Sequence, residues 1–151
     1  MSTSSSDEFE LYRFVEAQRS VYATALEELK AGQKRSHWMW FIFPQVAGLG
    51  FSSMAQRYAI RSRAEAKAYL EHPTLGTRLK ECVDALLHVE GRSAEQIMGD
   101  PDFLKLQSSI TLFAEISTAG PRFGRMLEKY YAGRKDQRTL DILSKEEPGR
   151  P

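Results

Sequence analysis

Gln33-Lys34-Arg35-Ser36-His37-Trp38-Met39-Trp40-Phe41-Ile42-Phe43-Pro44-Gln45-Val46-Ala47-Gly48-Leu49 is the stretch on which the fold class turns. It holds both tryptophans of the chain, two residues apart, with a histidine before them and two phenylalanines after. Its apolar run is too short for period alone to separate helix from strand. So much aromatic surface must be largely buried, yet the run opens on Lys34, Arg35, Ser36 and His37 and closes on Pro44-Gln45. Apolar mass with polar heads suits a ligand pocket, and equally a loop that enters a core.

Outward from it, the punctuation is helical on both sides. Asp7-x-x-Glu10 has the form of a capping box, and Phe14, Val21, Ala25 and Leu29 then recur at helical spacing up to Gly32. Ser52 can cap a short helix through Ile60. Ser62-x-x-Glu65 caps another through Glu71, which His72-Pro73 stops. Leu75, Leu79, Cys82 or Val83, and Leu86 share one face of a longer helix ending near Gly91. Ser93-x-x-Gln96 starts a brief turn that stops at Gly99. Asp100-Pro101 has the form of an N-cap with proline at the first helical position, followed by Phe103, Leu106, Ile110, Phe113 and Ser117 on one face. After Gly120-Pro121 come Phe123, Met126, Leu127 and Tyr130, closed by Gly133. Asp136 caps a last helix with Leu140 and Leu143. No βαβ alternation or hairpin signal occurs. The reading is all-α: a compact single-domain bundle of about six to eight helices with one aromatic-rich irregular segment. The domain covers residues 7–145, with 1–6 and 146–151 as flexible tails.

Composition narrows the function classes. In 151 residues, Lys+Arg 21 against Asp+Glu 20 gives a net charge of +1, which lacks the basic footprint of a nucleic-acid binder. No run approaches the ~18–20 apolar residues of a membrane span. The polar, acidic start Met1–Glu8 is unlike a signal peptide, and the single Cys82 suits a reducing compartment, so a cytoplasmic location is expected. Scattered histidines, and the lack of zinc-ligand spacing, HExxH, a Walker loop or GxSxG, call for no metal and no cofactor. Oligomeric state is left open.

Polar residues in apolar places are the candidates for a site. At about 100° per residue, Gln18 falls mid-stripe on the first helix, where leucine is expected. It needs a partner, either a loop backbone or a ligand, and Tyr22 one turn later is similarly amphipathic. Lys34 suits a phosphate or carboxylate, or else compensates a helix C-terminus. His37 can act in acid–base chemistry near neutral pH, or donate to a carbonyl. Trp38 or Trp40 can stack a ring or fill the core. Gln45 reads a ligand edge or closes its own loop. Asp102, Lys105 and Ser109 share a helical face at i, i+3, i+7. Asp102 would orient a base or accept sugar hydroxyls, or else cap its helix and pair with Lys105. Ser108-Ser109-Ile110-Thr111 spends poor helix formers in mid-helix, where their hydroxyls must bond back to the helix or across an interface.

Arg13-Phe14-x-x-Ala17-Gln18, His37–Gln45, Gly48-Leu49-Gly50, Glu65-Ala66, Tyr69-Leu70-x-His72-Pro73-x-Leu75-Gly76-x-Arg78-Leu79 and Asp102-x-x-Lys105-Leu106-x-Ser108-Ser109-x-Thr111-Leu112-Phe113 together resemble the bacterial domain of unknown function 1810. The resemblance runs from about Phe9 to Leu143. It implies a compact, mostly helical fold and no established activity. Members are sometimes labelled calpastatin, which implies a disordered protease inhibitor and does not suit so core-rich a sequence. A looser similarity, in order and residue type alone, is to helical N-glycosidases acting on ADP-ribose-like or riboflavin-pathway nucleotides.

The leading expectation is a pocket for a nucleotide or nucleotide sugar, which it would bind and could hydrolyse. Trp38 or Trp40 would stack the ring, Gln18 and Gln45 read its edge, and Lys34 hold a phosphate, with His37 and Asp102 as catalytic candidates. Tyr22, Lys105 and Ser109 complete the candidate set. This pocket requires Gln18, His37 and Asp102 to share a cavity. The alternative is a non-enzymatic interaction or scaffold domain, which requires both tryptophans fully buried and an exposed apolar patch elsewhere.

Overall fold

A computed structural model describes residues 7–116 and 120–146. Among these residues there are ten helices: α1 Tyr12–Arg19, α2 Tyr22–Ala31, α3 Met39–Ile42, α4 Ser53–Arg57, α5 Arg63–Glu71, α6 Leu75–His88, α7 Ala94–Met98, α8 Asp102–Ala114, α9 Arg122–Tyr131 and α10 Gln137–Glu146. The fold is all-α, with more helices than the spacing predicted. Ser117 and the segments 1–6 and 147–151 lie outside the described residues.

The extra count comes from short turns and one break. The first periodic stretch is two helices, because Val21 (φ −120°) leaves the helical path between α1 and α2. Nothing in the apolar spacing marks that break, and no Gly or Pro stands there. The Asp7–Glu10 capping box does not form either. Glu10 takes a positive φ of 55°, and Asp7 accepts from the Tyr12 N–H at 3.3 Å instead. Gly32 ends α2 in the left-handed region (φ 76°), where its N–H bonds the Glu28 and Leu29 carbonyls.

The aromatic run resolves into both of its alternatives. Met39–Ile42 is a single helical turn. The chain then extends, and Val46 forms an isolated parallel bridge with Ile60, Ala47 donating to the Ile60 carbonyl and Ile60 to that of Gln45, each at 2.8 Å. That pairing explains why α4 stops at Arg57 and does not run on to Ile60.

Caps at Ser52, Ser62 and Ser93 form as spaced, the last as a full capping box. Asp136 caps α10, accepting from the Thr139 N–H at 3.0 Å. Asp100 does not cap α8. The helix begins at Asp102, and Asp100 faces a cleft instead.

The buried layers centre on α6 and α8. α6 packs on α2, α5 and α9, while α8 packs on α5, α7, α9 and α10. An aromatic chain crosses between them: Phe14 meets Tyr69 edge-on at 5.2 Å, Tyr69 meets Phe113 at 5.4 Å, and Phe113 meets Phe123 at 5.9 Å. Each such pair adds about 0.5–1.5 kcal/mol beyond area burial. No helix of the described residues is long and apolar enough to cross a membrane.

Candidate functional site

The loop between α2 and α3 is built around one carboxylate. Glu28, in the last turns of α2, accepts from the Arg35 N–H (2.8 Å), the Ser36 N–H (3.2 Å), the Ser36 hydroxyl (2.7 Å) and Trp38 Nε1 (2.9 Å). Trp38 is thereby sunk in the core at 1% exposure. The loop's other tie is Lys34, whose N–H donates to the Ile97 carbonyl at 2.7 Å and whose ammonium meets Asp102 Oδ2 at 2.9 Å.

These ties bring α3 against the start of α8 and leave a cleft of about 320 Å³ between them. Lys34, His37, Met39 and Trp40 line one side, and Met98, Asp100, Pro101 and Asp102 the other. Asp102 stands between two cations, Lys34 at 2.9 Å and Lys105 at 3.9 Å. The Lys105 ammonium lies 5.7 Å from the centre of the half-buried Trp40 ring. His37 is exposed at the rim. Among the described residues no hydrogen bond joins it to Asp102. The cleft therefore offers an aromatic face, a carboxylate bracketed by lysines, a second carboxylate and an imidazole.

Of the predicted residues, His37, Asp102, Lys34 and Trp40 meet here, with Lys105 at the edge. Lys34 is not a free phosphate ligand. It is 8% exposed, paired to Asp102, donates to the Ser36 carbonyl at 2.6 Å and lies over the Trp38 ring.

Gln18 is not in the cleft. Its Nε2 donates to the Phe41 carbonyl (2.7 Å) and the Tyr69 hydroxyl (3.1 Å), and its Oε1 accepts from Arg78 (3.3 Å). It pins α3 from behind, and among the described residues no cavity joins Gln18 to His37 and Asp102. Tyr22 is also elsewhere, donating to Glu81 beneath the Arg78 guanidinium, because the break at Val21 turns it off the Gln18 face. Trp38 faces the core. Ser109 is fully buried and among the described residues its hydroxyl has no hydrogen-bond partner, while Ser108 bonds back to Leu104 and Thr111 accepts from the Asp136 N–H. Gln45 lines a neighbouring chamber with Lys105.

A larger groove of about 450 Å³ lies between α2 and α6, but apart from the exposed Lys30 its polar side chains are already committed. Glu81 holds Tyr22, Asp84 holds Arg122 through two bonds of 3.0 and 3.2 Å, and His88 Nδ1 sits 2.8 Å from the Asp84 carbonyl. Volume favours that groove, whereas unspent chemistry favours the Trp40–Asp102 cleft. Asp100 and Glu28 are what sequence reasoning missed. Asp100 was assigned to a cap, and nothing local marks Glu28 as the loop's organiser.

A family model described as protein of unknown function (DUF1810) matches residues 8–143. The chain belongs to the DUF1810 family. Its structure is similar to the crystal structure of the conserved hypothetical protein Rv1873 from Mycobacterium tuberculosis. The two share 54% identity over 91% of this chain and 99% of that one, with a TM-score of 0.90. No curated protein matches the chain. The family carries no stated activity, so function must be argued from the cleft itself.

Glu28 supports the first expected result. Burial pushes its carboxyl up, but bonds from Arg35, Trp38 and Ser36 outweigh this and hold it below the usual carboxylate range. A depressed pKa means the unfolded chain binds the proton first. The stabilisation is therefore complete above the unfolded value and is lost as pH falls through the folded one. Glu28→Ala should release the Lys34–Trp38 loop at neutral pH and leave the Trp38 N–H unpaired, at a cost of about 1–3 kcal/mol. A red-shifted tryptophan emission and a lower thermal midpoint would show it, and an unchanged emission maximum would contradict it.

Proposed function

We propose that the Trp40–Asp102 cleft binds a small ligand carrying a flat ring and an anionic group, of the nucleotide or nucleotide-sugar class, in the cytoplasm. The observation that carries this reading is the half-buried Trp40 face with Lys105 above it and Asp102 held between Lys105 and Lys34. A ring stacks on Trp40, the Lys105 ammonium takes the anionic group, and Asp100 and Asp102 offer acceptors for hydroxyls. Lys34 fixes Asp102 and does not itself contact the ligand. Hydrolysis is not part of the proposal. Among the described residues His37 has no second, orienting group of an acid–base pair, and Asp102 is already paired with Lys34.

The chain has two tryptophans; the buried Trp38 contributes a background that a ligand in the cleft does not touch, so the ligand-dependent change in emission reports on Trp40. Nucleotides should quench the emission and raise the thermal midpoint. Trp40→Phe should remove the quenching while leaving the fold intact, and Lys105→Gln should weaken binding by about tenfold, the value of one charged hydrogen bond. Quenching that survives in Trp40→Phe, or silence across a broad nucleotide panel, would overturn the proposal.

Silence would favour the scaffold reading. It has one observation on its side, the exposure of Phe51 (81%) and Leu104 (49%). Against it stands Trp40, which that reading needs fully buried.

A further inference from the structure

A second chamber, of about 270 Å³, lies on the other side of the first turn of α8. It shares Pro101 with the cleft. Lys105 connects the two, since it lines the second chamber while its ammonium reaches Asp102 and Trp40 in the first. Arg138, from the first turn of α10, and Gln45, from the loop after α3, line the same chamber.

The polar groups here divide into spent and unspent. Asp136, the one carboxylate of this chamber, is turned onto its own helix, where Oδ2 accepts from the Thr139 N–H at 3.0 Å and its hydroxyl at 2.5 Å. The Ser108 hydroxyl donates to the Leu104 carbonyl at 3.3 Å. Among the described residues Arg138 makes no hydrogen bond or ion pair, and the Gln45 carboxamide makes none either. Lys105 makes a long contact with Asp102 and lies over the Trp40 ring. Two cationic side chains and an amide thus line one small space whose single carboxylate among the lining residues is bonded to its own helix. A planar guanidinium in the same chamber as a lysine suits the oxygens of a phosphoryl group, which Arg can grip through two bonds at once.

We infer that this chamber is an anion subsite for the second phosphate of the ligand, with Arg138 as the residue that tells a diphosphate from a monophosphate. The inference rests on the proposed ring site at Trp40 and narrows its ligand to the pyrophosphate-bearing class: a ring on Trp40, the first phosphate at Lys105, the second between Lys105 and Arg138.

Inorganic pyrophosphate probes the chamber without a ring. Titrated into the ¹⁵N-labelled full chain, it should shift the amide signals of Lys105, Ser108, Gln137 and Arg138 in a saturable way. Arg138→Gln changes an exposed, unpaired side chain, so the spectrum should otherwise be retained while pyrophosphate affinity falls by about tenfold, the value of one charge-assisted bond. No shift at these amides, or equal affinity in the variant, would overturn the subsite.

Trp40 quenching by a nucleoside mono- and diphosphate forms the second arm. The diphosphate should bind about tenfold tighter, and the ratio should collapse towards one in Arg138→Gln. Equal quenching by both in the native chain would overturn the inference and leave the ring site standing. Pyrophosphate shifts with no quenching by any nucleotide would support the subsite and remove the ring site.

Discussion

Arg13→Ala should cost about 3–5 kcal/mol of folding stability, the range for removing one partner of a buried ion pair. The Arg13 guanidinium donates to five acceptors: the carbonyls of Arg57 (2.8 Å), Phe9 (2.7 Å), Glu10 (3.0 Å) and Ala59 (2.7 Å), and Glu65 Oε2 (2.9 Å). The side chains are 9% and 1% exposed, so the pair is screened by little water. It joins the N-terminal turn, the end of α4 and the first turn of α5. Glu65 Oε1 also holds the Arg61 N–H at 3.0 Å. Deleting the guanidinium leaves that carboxylate buried without its cation, along with carbonyls that lose their donor.

A domain of this size is stable by only about 5–15 kcal/mol, so the loss is a large share of the total. Arg13→Lys should recover little, because one ammonium cannot span five acceptors held in a fork. Changing both members, Arg13→Met with Glu65→Leu, should recover more than either single change, since no lone charge then stays buried. Urea denaturation of these variants measures all of this. A single-mutant loss below about 1 kcal/mol would place the pair with surface ion pairs, whose value falls there.

That hub shows where sequence reasoning stops. Ser62-x-x-Glu65 was legible as a cap, and the Ser62 hydroxyl does accept from the Glu65 N–H. The Glu65 side chain, however, turns to Arg61 and to an arginine 52 residues away. Gln18 was legible as a polar residue mid-stripe, and a loop backbone was one of its two expected partners. Which loop could not be read, because the Phe41 carbonyl lies 23 residues on. Trp38 and Trp40 differ by two residues, which on a helical turn sends them to different sides. Composition cannot say which side faces the core, and the deciding partner, Glu28, sits on another helix. Helices bounded by local chemistry, such as Ser93–Gly99 and the α6 face, were legible because every signal involved lies within a few residues. The break at Val21 was not, because apolar spacing continues across it while tertiary packing sets α2 against α6. The same boundary divides the candidate site. His37, Trp40, Asp102 and Lys105 stood out as polar or aromatic oddities within their own segments, whereas Arg138 became visible only when α10 closed over α8.

Gly76→Ala should destabilise the fold by about 3 kcal/mol, at the upper end for overpacking a core. A methyl at this position would stand 1.9 Å from the Leu70 carbonyl oxygen, 2.7 Å from its carbon and 3.3 Å from the Tyr69 oxygen. These are backbone atoms of α5, so no rotamer change relieves the contact. The connection between α5 and α6 has no slack. Gly76 donates to the His72 carbonyl at 2.9 Å, and His72 Nδ1 accepts from the Thr74 and Leu75 N–H groups at 3.1 and 3.2 Å. Helix propensity works the other way, favouring alanine over glycine by about 1 kcal/mol, and is outweighed. The α5 terminus must move, and Tyr69 moves with it. Tyr69 is fully buried, and its hydroxyl accepts from Gln18, which in turn holds the Phe41 carbonyl beside Trp40. Strain at Gly76 therefore reaches the cleft through two hydrogen bonds. Chemical denaturation should show the lost stability, and acrylamide quenching of the folded variant should show Trp40 more accessible. An alanine variant as stable as the native chain would mean that α5 and α6 part at little cost, and the route from Gly76 to the cleft would then fail.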